Sequence, residues 1–174
     1  MEDLIFLYVK HNKERAFNIV YKRYYKKIYG LAYKILYDKT IVEDCVQEIF
    51  IKVYENLEKF RFGSSLGTWI YRITINHLIN VNKKIDFYLD IDEEKFQSKI
   101  EYSIELAELQ EKIKKALNEL NELEKKVFIL REMEGFSYKE IANITELNEG
   151  TVKSKLHYIK LKLRDILSEY VNNG

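Results

Sequence analysis

From Gly150 to Arg164 the chain carries Lys153, Lys155, His157, Lys160, Lys162 and Arg164 and no acidic residue. Acids are frequent overall, 28 against 29 Lys and Arg in 174 residues, so a tract that excludes them points to contact with an anion such as a phosphate backbone. On a helix at roughly 100° per residue, Val152, Leu156, Ile159, Leu163 and Ile166 share one side and suit a core. The cations take the other flanks. Thr151, Lys153, Ser154, His157 and Tyr158 fall in the first turns, where a helix entering a major groove places its base-reading side chains.

A second polar stripe lies upstream, where Arg72, Asn76 and Asn80, with Lys83 just beyond, interrupt an otherwise apolar helical pattern. Phe60, Phe62, Trp69 and Tyr71 surround the loop that precedes it. Amides that pair with base edges, rings that stack and cations that hold phosphate together suit a single strand. The competing reading makes each ring simply core. A third stripe, Asp44, Gln47, Glu48, Glu55 and Glu58 with Ile51 among them, lies opposite Val42, Cys45, Val46, Ile49, Phe50, Val53 and Leu57. An apolar side chain ringed by acids on a solvent face suits a protein partner with a basic rim and a small apolar pocket.

No catalytic constellation is visible, and neither enzymatic activity nor a cofactor is expected. The chain has no phosphate-cradling glycine loop and no pairing of a nucleophile with a base. His11, His77 and His157 are far apart and Cys45 is the one cysteine, so no metal-ligand spacing arises and Cys45 reads as a buried structural thiol. The opening Met1-Glu2-Asp3 and the short apolar run Leu4 to Val9 predict neither a secretory signal nor a membrane span, and a cytoplasmic protein is expected.

The elements that position these stripes read as helices. Proline is absent, and 47% of residues are hydrophobic and 33% charged, as in a globular all-α protein. Asn12 caps a predicted helix from Lys13 to about Leu36, and Thr40-Ile41-Val42-Glu43 is a capping-box pattern for a helix to about Lys59. The glycines and serines of 60 to 67 mark a loop, followed by a helix from about Leu66 to Asn82. Asn121 with Glu124, and Ser137 with Glu140, open further helices, the second short and through Asn143. A long helix then starts near Asn148, and the pair has the outline of a helix-turn-helix. On pattern alone a helical hairpin without a DNA role fits equally well.

Charge divides the chain further. Residues 1 to 86 carry 15 Lys and Arg against 10 Asp and Glu, residues 87 to 109 carry 2 against 7, and residues 110 to 174 carry 12 against 11. The net charge of +1 hides a basic segment, an acidic one and a near-neutral one. Three parts are expected: a domain at 1–86, a flexible acidic linker at 87–106 containing Asp90, Asp92, Glu93 and Glu94, and a domain at 107–174 with the helix-turn-helix.

Three tracts in order resemble the extracytoplasmic-function (ECF) sigma factors of the sigma-70 family. They are Glu43-Asp44-Cys45-Val46-Gln47-Glu48-Ile49-Phe50, then Gly67-Thr68-Trp69-Ile70-Tyr71-Arg72-Ile73-Thr74-Ile75-Asn76, and last Ser137-Tyr138-Lys139-Glu140-Ile141-Ala142 followed by Glu149-Gly150-Thr151-Val152-Lys153-Ser154-Lys155-Leu156. The resemblance implies a non-enzymatic subunit that binds core RNA polymerase and promoter DNA, duplex and melted, and often an anti-sigma factor, without membrane insertion. It implies docking on core polymerase through Asp44, Gln47, Glu48 and Ile51, and capture of the minus-ten strand by Phe60, Arg61, Gly63, Ser64, Ser65, Trp69, Arg72, Asn76, Asn80 and Lys83. Ser137, Tyr138, Thr151, Lys153, Ser154, Lys155, His157 and Tyr158 would then meet the minus-thirty-five duplex.

The acidic tether would suit a basic channel of the core enzyme. Two departures from the family pattern matter: Glu146 stands where the turn usually has glycine, so a wider or slightly strained turn is expected, and His157 with Tyr158 prevents transfer of a promoter sequence. A stand-alone helix-turn-helix regulator and a helical protein adaptor are the alternatives. The first gives the Asp44, Gln47 and Glu48 face no purpose, and the second leaves the acid-free tract unexplained.

Overall fold

The structure is a computed structural model that describes residues 11–60, 64–91 and 116–172. Among them the secondary structure is all helical: α1 (Lys13–Leu36), α2 (Lys39–Asn56), a 3-10 turn (Leu57–Lys59), α3 (Leu66–Ile91), α4 (Glu122–Phe128), a π-turn (Ile129–Met133), α5 (Tyr138–Thr145) and α6 (Glu149–Asn172). The chain divides into two compact units, Met1–Glu93 and Glu94–Gly174.

In the first unit α1, α2 and α3 pack on one another. α1 starts where Asn12 accepts a hydrogen bond from the Arg15 N–H at 2.9 Å, which satisfies one of the donors left open at a helix start. α2 begins one residue earlier than Thr40. Its cap is Asp38, extended at φ −107° and ψ 123°, whose carboxylate accepts the Ile41 N–H at 2.9 Å, so Thr40 already lies inside the first turn. The side of α2 expected to be apolar is the buried one: Val42, Cys45, Val46, Ile49, Phe50, Val53 and Leu57 are all buried. Burial pushes the Cys45 thiol up to about 12, with Glu48 adding to the effect, so it stays protonated and inert at neutral pH.

α3 continues to Ile91, nine residues past the expected end at Asn82. No glycine or proline follows Asn82 to stop it, and each added residue gains a backbone bond once the helix exists. Residues 87 to 91, the start of the expected linker, are therefore the last turn of α3, while Asp92, Glu93 and Glu94 lie outside the described residues.

In the second unit both expected capping boxes are formed. Asn121 and Glu124 exchange hydrogen bonds of 3.0 Å at the start of α4, and Ser137 and Glu140 do the same at the start of α5. The Ser137 hydroxyl, and then its N–H, hold the Glu140 carboxyl below the usual carboxylate range. The turn between α5 and α6 is three residues long, and Glu146 takes the left-handed conformation itself, at φ 61° and ψ 28°. Of the two expected outcomes the strained turn is the one formed. A non-glycine residue there costs about 1 kcal/mol, so Glu146→Gly is expected to raise the unfolding free energy of this unit by up to about that amount in urea titration. An unchanged or lower midpoint would show that the Glu146 side chain offsets the strain.

Candidate nucleic-acid interface

In the first unit, α2 turns Asp44, Gln47, Glu48 and Ile51 to solvent, and Ile51 is 56% exposed. The Glu48 carboxylate also faces α3, where its Oε2 lies 3.2 Å from Nε2 of His77. His77 is buried, and its Nδ1 accepts from Lys52 Nζ, one turn along α2 from Glu48. That acceptance requires the neutral ring protonated at Nε2. Burial, and then the Lys52 charge, lower the His77 pKa, and the nearby Glu48 only partly opposes them.

His77 and Lys52 were not legible as a pair, although a histidine in an apolar register of α3 was the available signal. A base with a depressed pKa binds fewer protons folded than unfolded between those two values. Its contribution to stability is complete above about 6.5, the usual value for the unfolded chain, and is lost as pH falls through the folded value. The melting temperature of His77→Gln is therefore expected to fall less than that of the wild type between pH 7 and pH 5. Parallel curves would remove histidine protonation as the cause.

Along α3, Asn76, Asn80 and Lys83 are exposed and Arg72 is half-buried, so these four keep one solvent-facing strip. The strip is set up at the N-terminus, where the Ser65 hydroxyl accepts the Thr68 N–H at 3.1 Å and lies 2.9 Å from the Thr68 hydroxyl. Tyr71 is core. Phe60 and Trp69 are half-buried with ring centroids 5.3 Å apart, Ser64 is half-buried and Ser65 is exposed. Arg61, Phe62 and Gly63 lie outside the described residues.

In the second unit α6 buries Val152, Leu156, Ile159 and Leu163, while Ile166 is half-buried. Asn148 fixes its start by accepting the Thr151 N–H at 2.7 Å. Lys153, Ser154, His157 and Tyr158 are exposed, the last at 66%, and Thr151 and Lys155 are half-buried. Three elements converge on a cleft of about 510 Å³ lined by Arg131 and Glu132 of the π-turn, Tyr138 of α5, and Lys153, His157 and Lys160 of α6. The Arg131 guanidinium lies 4.7 Å from the Tyr138 ring centroid and donates to the Phe136 carbonyl at 2.8 Å, while Lys153 Nζ stands 5.5 Å from the same ring.

Arginine, lysine and tyrosine held this way can take phosphate oxygens, with the planar guanidinium already oriented by the ring and carbonyl. Glu132 opposes them in part through its 2.9 Å ion pair with Lys160. Arg131 was missing from the expected set, because its nearness to α6 arises from packing rather than from spacing along the chain. Ser137 and Tyr138 differ: the Ser137 hydroxyl is engaged in the capping box, and the Tyr138 ring lines the cleft. Among the described residues no three His, Cys, Asp or Glu side chains form a metal site, and no helix is long and apolar enough to cross a membrane.

Comparison with known proteins places both units. Residues 20–85 match the family model for sigma-70 region 2, and residues 110–163 match that for sigma-70 region 4. The ECF RNA polymerase sigma factor SigW of Bacillus subtilis is 31% identical over 176 residues, covering 91% of this chain and 94% of that protein. The ECF RNA polymerase sigma-E factor of Escherichia coli K12 is 32% identical over 165 residues, covering 85% and 84%. Two solved structures share the fold. CnrH, in complex with the cytosolic domain of CnrY, aligns with a TM-score of 0.69 at 21% identity over 97% of each chain. The sigma factor RpoE of Bartonella quintana, in complex with the anti-sigma factor NepR, aligns at 0.59 and 24% over 87% of this chain and 96% of that one. With both regions matched in order and relatives above 30% identity over most of their length, the chain belongs to the ECF RNA polymerase sigma factors of the sigma-70 family.

Proposed function

We propose that this chain binds core RNA polymerase and directs promoter-specific initiation, without catalysis or cofactor of its own, in the cytoplasm. Asp44, Gln47, Glu48 and Ile51 dock on the core enzyme. Phe60, Arg61, Gly63, Ser64, Ser65, Trp69, Arg72, Asn76, Asn80 and Lys83 take an unpaired base and the strand of the minus-ten element. Thr151, Lys153, Ser154, His157 and Tyr158 read the minus-thirty-five duplex, with Tyr138 and Lys155 on its backbone and Ser137 holding the helix that presents them. The unit that ends with α3 serves the first two of these tasks and residues 107–174 the third, with the acidic tether between them beginning after Ile91.

The observation that carries this reading is the coexistence on one chain of an acid-ringed exposed Ile51 and two separate acid-poor faces rich in Asn, Lys and aromatic groups. A stand-alone repressor would need only the second unit, and a protein adaptor would need neither acid-poor face. Relatives of the same fold are held by CnrY and by the anti-sigma factor NepR, so a protein that competes with polymerase for these faces is part of the reading. The test is run-off transcription by core polymerase with the purified chain on a library of upstream sequences. Selection of one promoter class is expected, and failure to form a stable complex or to enrich any sequence overturns the proposal.

A further inference from the structure

The segment from 1 to 86 has a net charge of +5, yet the docking stripe on α2 is acidic, so its cations must be concentrated elsewhere. α1 carries Lys13, Arg15, Lys22, Arg23, Lys26, Lys27 and Lys34 against the single acid Glu14, and no acid occurs from Arg15 to Leu36. α3 likewise has none from Leu66 to Ile85. Most acids of this unit's described residues sit on α2 and beside its ends; α1 has Glu14 alone, in its first turn, and α3 has Asp86 and Asp90 alone, towards its end.

The packing tells which way these cations face. On α1, contacts of Phe17 with Tyr54 (5.1 Å) and of Tyr21 with Phe50 (4.7 Å) mark the flank against α2. At roughly 100° per residue, Arg23 and Lys27 lie on the opposite flank, and both are exposed. On α3, His77 marks the flank against α2, and Arg72 and Lys83 fall on the far side of Asn76 from it. In a three-helix packing, the flanks of α1 and α3 turned away from α2 are the ones that adjoin each other. α1 packs on α3 directly, with the Tyr24 hydroxyl at Gly67.

We infer that Arg23 and Lys27 of α1 extend the strip of α3 into one basic track that holds the phosphates of the single strand whose base that strip captures. This rests on the proposed function. A polyanion is the matching partner because the track has cations on both walls and no acid on either helix along it, whereas a protein surface would normally be met by both signs of charge. Arg23 and Lys27 are one turn apart, about 6 Å, which is close to the spacing of successive phosphates.

The test uses holoenzyme assembled from the full chain and core polymerase on a pre-melted promoter fragment taken from the run-off selection. Arg23→Gln with Lys27→Gln is expected to weaken fragment binding about tenfold at 0.15 M salt and to flatten the plot of log affinity against log salt by roughly 1.4, two lost single-strand phosphate contacts. Affinity for core should not change. Lys22→Gln with Lys26→Gln removes the same charge from the outward face of the same helix and should leave the slope within half of that change. An unaltered slope in the first pair, an equal change in both pairs, or a loss of core affinity in place of strand affinity overturns the inference. If the wild-type chain does not bind core at all, the proposed function fails with it.

Discussion

Replacing Ile51 with arginine is expected to lower the affinity of this chain for core polymerase by about two orders of magnitude, roughly 3 kcal/mol, while its helix content and melting temperature stay as they are. Ile51 is 56% exposed and is not among the buried residues of α2, so the folded unit has little to lose; exposed substitutions of this kind usually change stability by under about 0.5 kcal/mol. The bound state has much to lose. On the proposed function, Asp44, Gln47 and Glu48 around Ile51 select a partner with a basic rim, and an arginine there would meet like charge and place an unpaired cation in an apolar pocket. Ile51→Ala removes only the apolar contact and should cost about tenfold. Titration of labelled chain against core polymerase distinguishes the two, and wild-type affinity for the arginine variant would remove Ile51 from the interface.

The parts of this fold that could be read from the chain are those decided within one turn of helix. Asn12, Asn121 and Ser137 cap their helices as expected because a cap involves residues three apart and nothing else. Where two capping residues compete, sequence does not choose: Asp38 and Thr40 are both suitable, and the left-handed Tyr37 before Asp38 turns the chain so that Asp38 meets the helix first. The end of α3 escapes sequence reading for a related reason. Loss of apolar periodicity after Asn82 resembles a helix end, but without a breaking residue a helix already nucleated continues to Ile91.

The stripes themselves were legible because a period of 3.6 residues separates buried from exposed positions without knowledge of any neighbour. Ile51, Asn76, Asn80 and Tyr158 are all exposed, and the apolar sides of α2 and α6 are buried. Convergence was not legible. Arg131 reaches the cleft beside Lys153 and His157 through a π-turn, which rotates the chain relative to a regular helix, and no spacing rule anticipates that rotation. The contact of His77 with Glu48 and Lys52, about 25 to 29 positions away, is likewise a product of how α2 and α3 cross.

Changing Asn76 and Asn80 together to alanine should separate two steps that the first substitution removes together. Both side chains are exposed on α3, and alanine is the better helix former, so the unit stays folded and the docking face on α2 is untouched. Affinity for core polymerase should be that of the wild type. Run-off transcription from a fully paired promoter should fall by roughly 30- to 150-fold, the equivalent of two hydrogen bonds to base edges at about 1–1.5 kcal/mol each. Those bonds form only after the base leaves the stack, so they offset an unpairing cost of a few kcal/mol that the enzyme otherwise meets alone. On a template mismatched across the minus-ten element that cost is absent, and most of the activity should return. An abasic site at the captured position should cost the wild type as much as the double substitution does, and should cost the double variant nothing further. Additive losses would mean that the two asparagines act on something other than that base. A loss that persists undiminished on the mismatched template would place their role after melting.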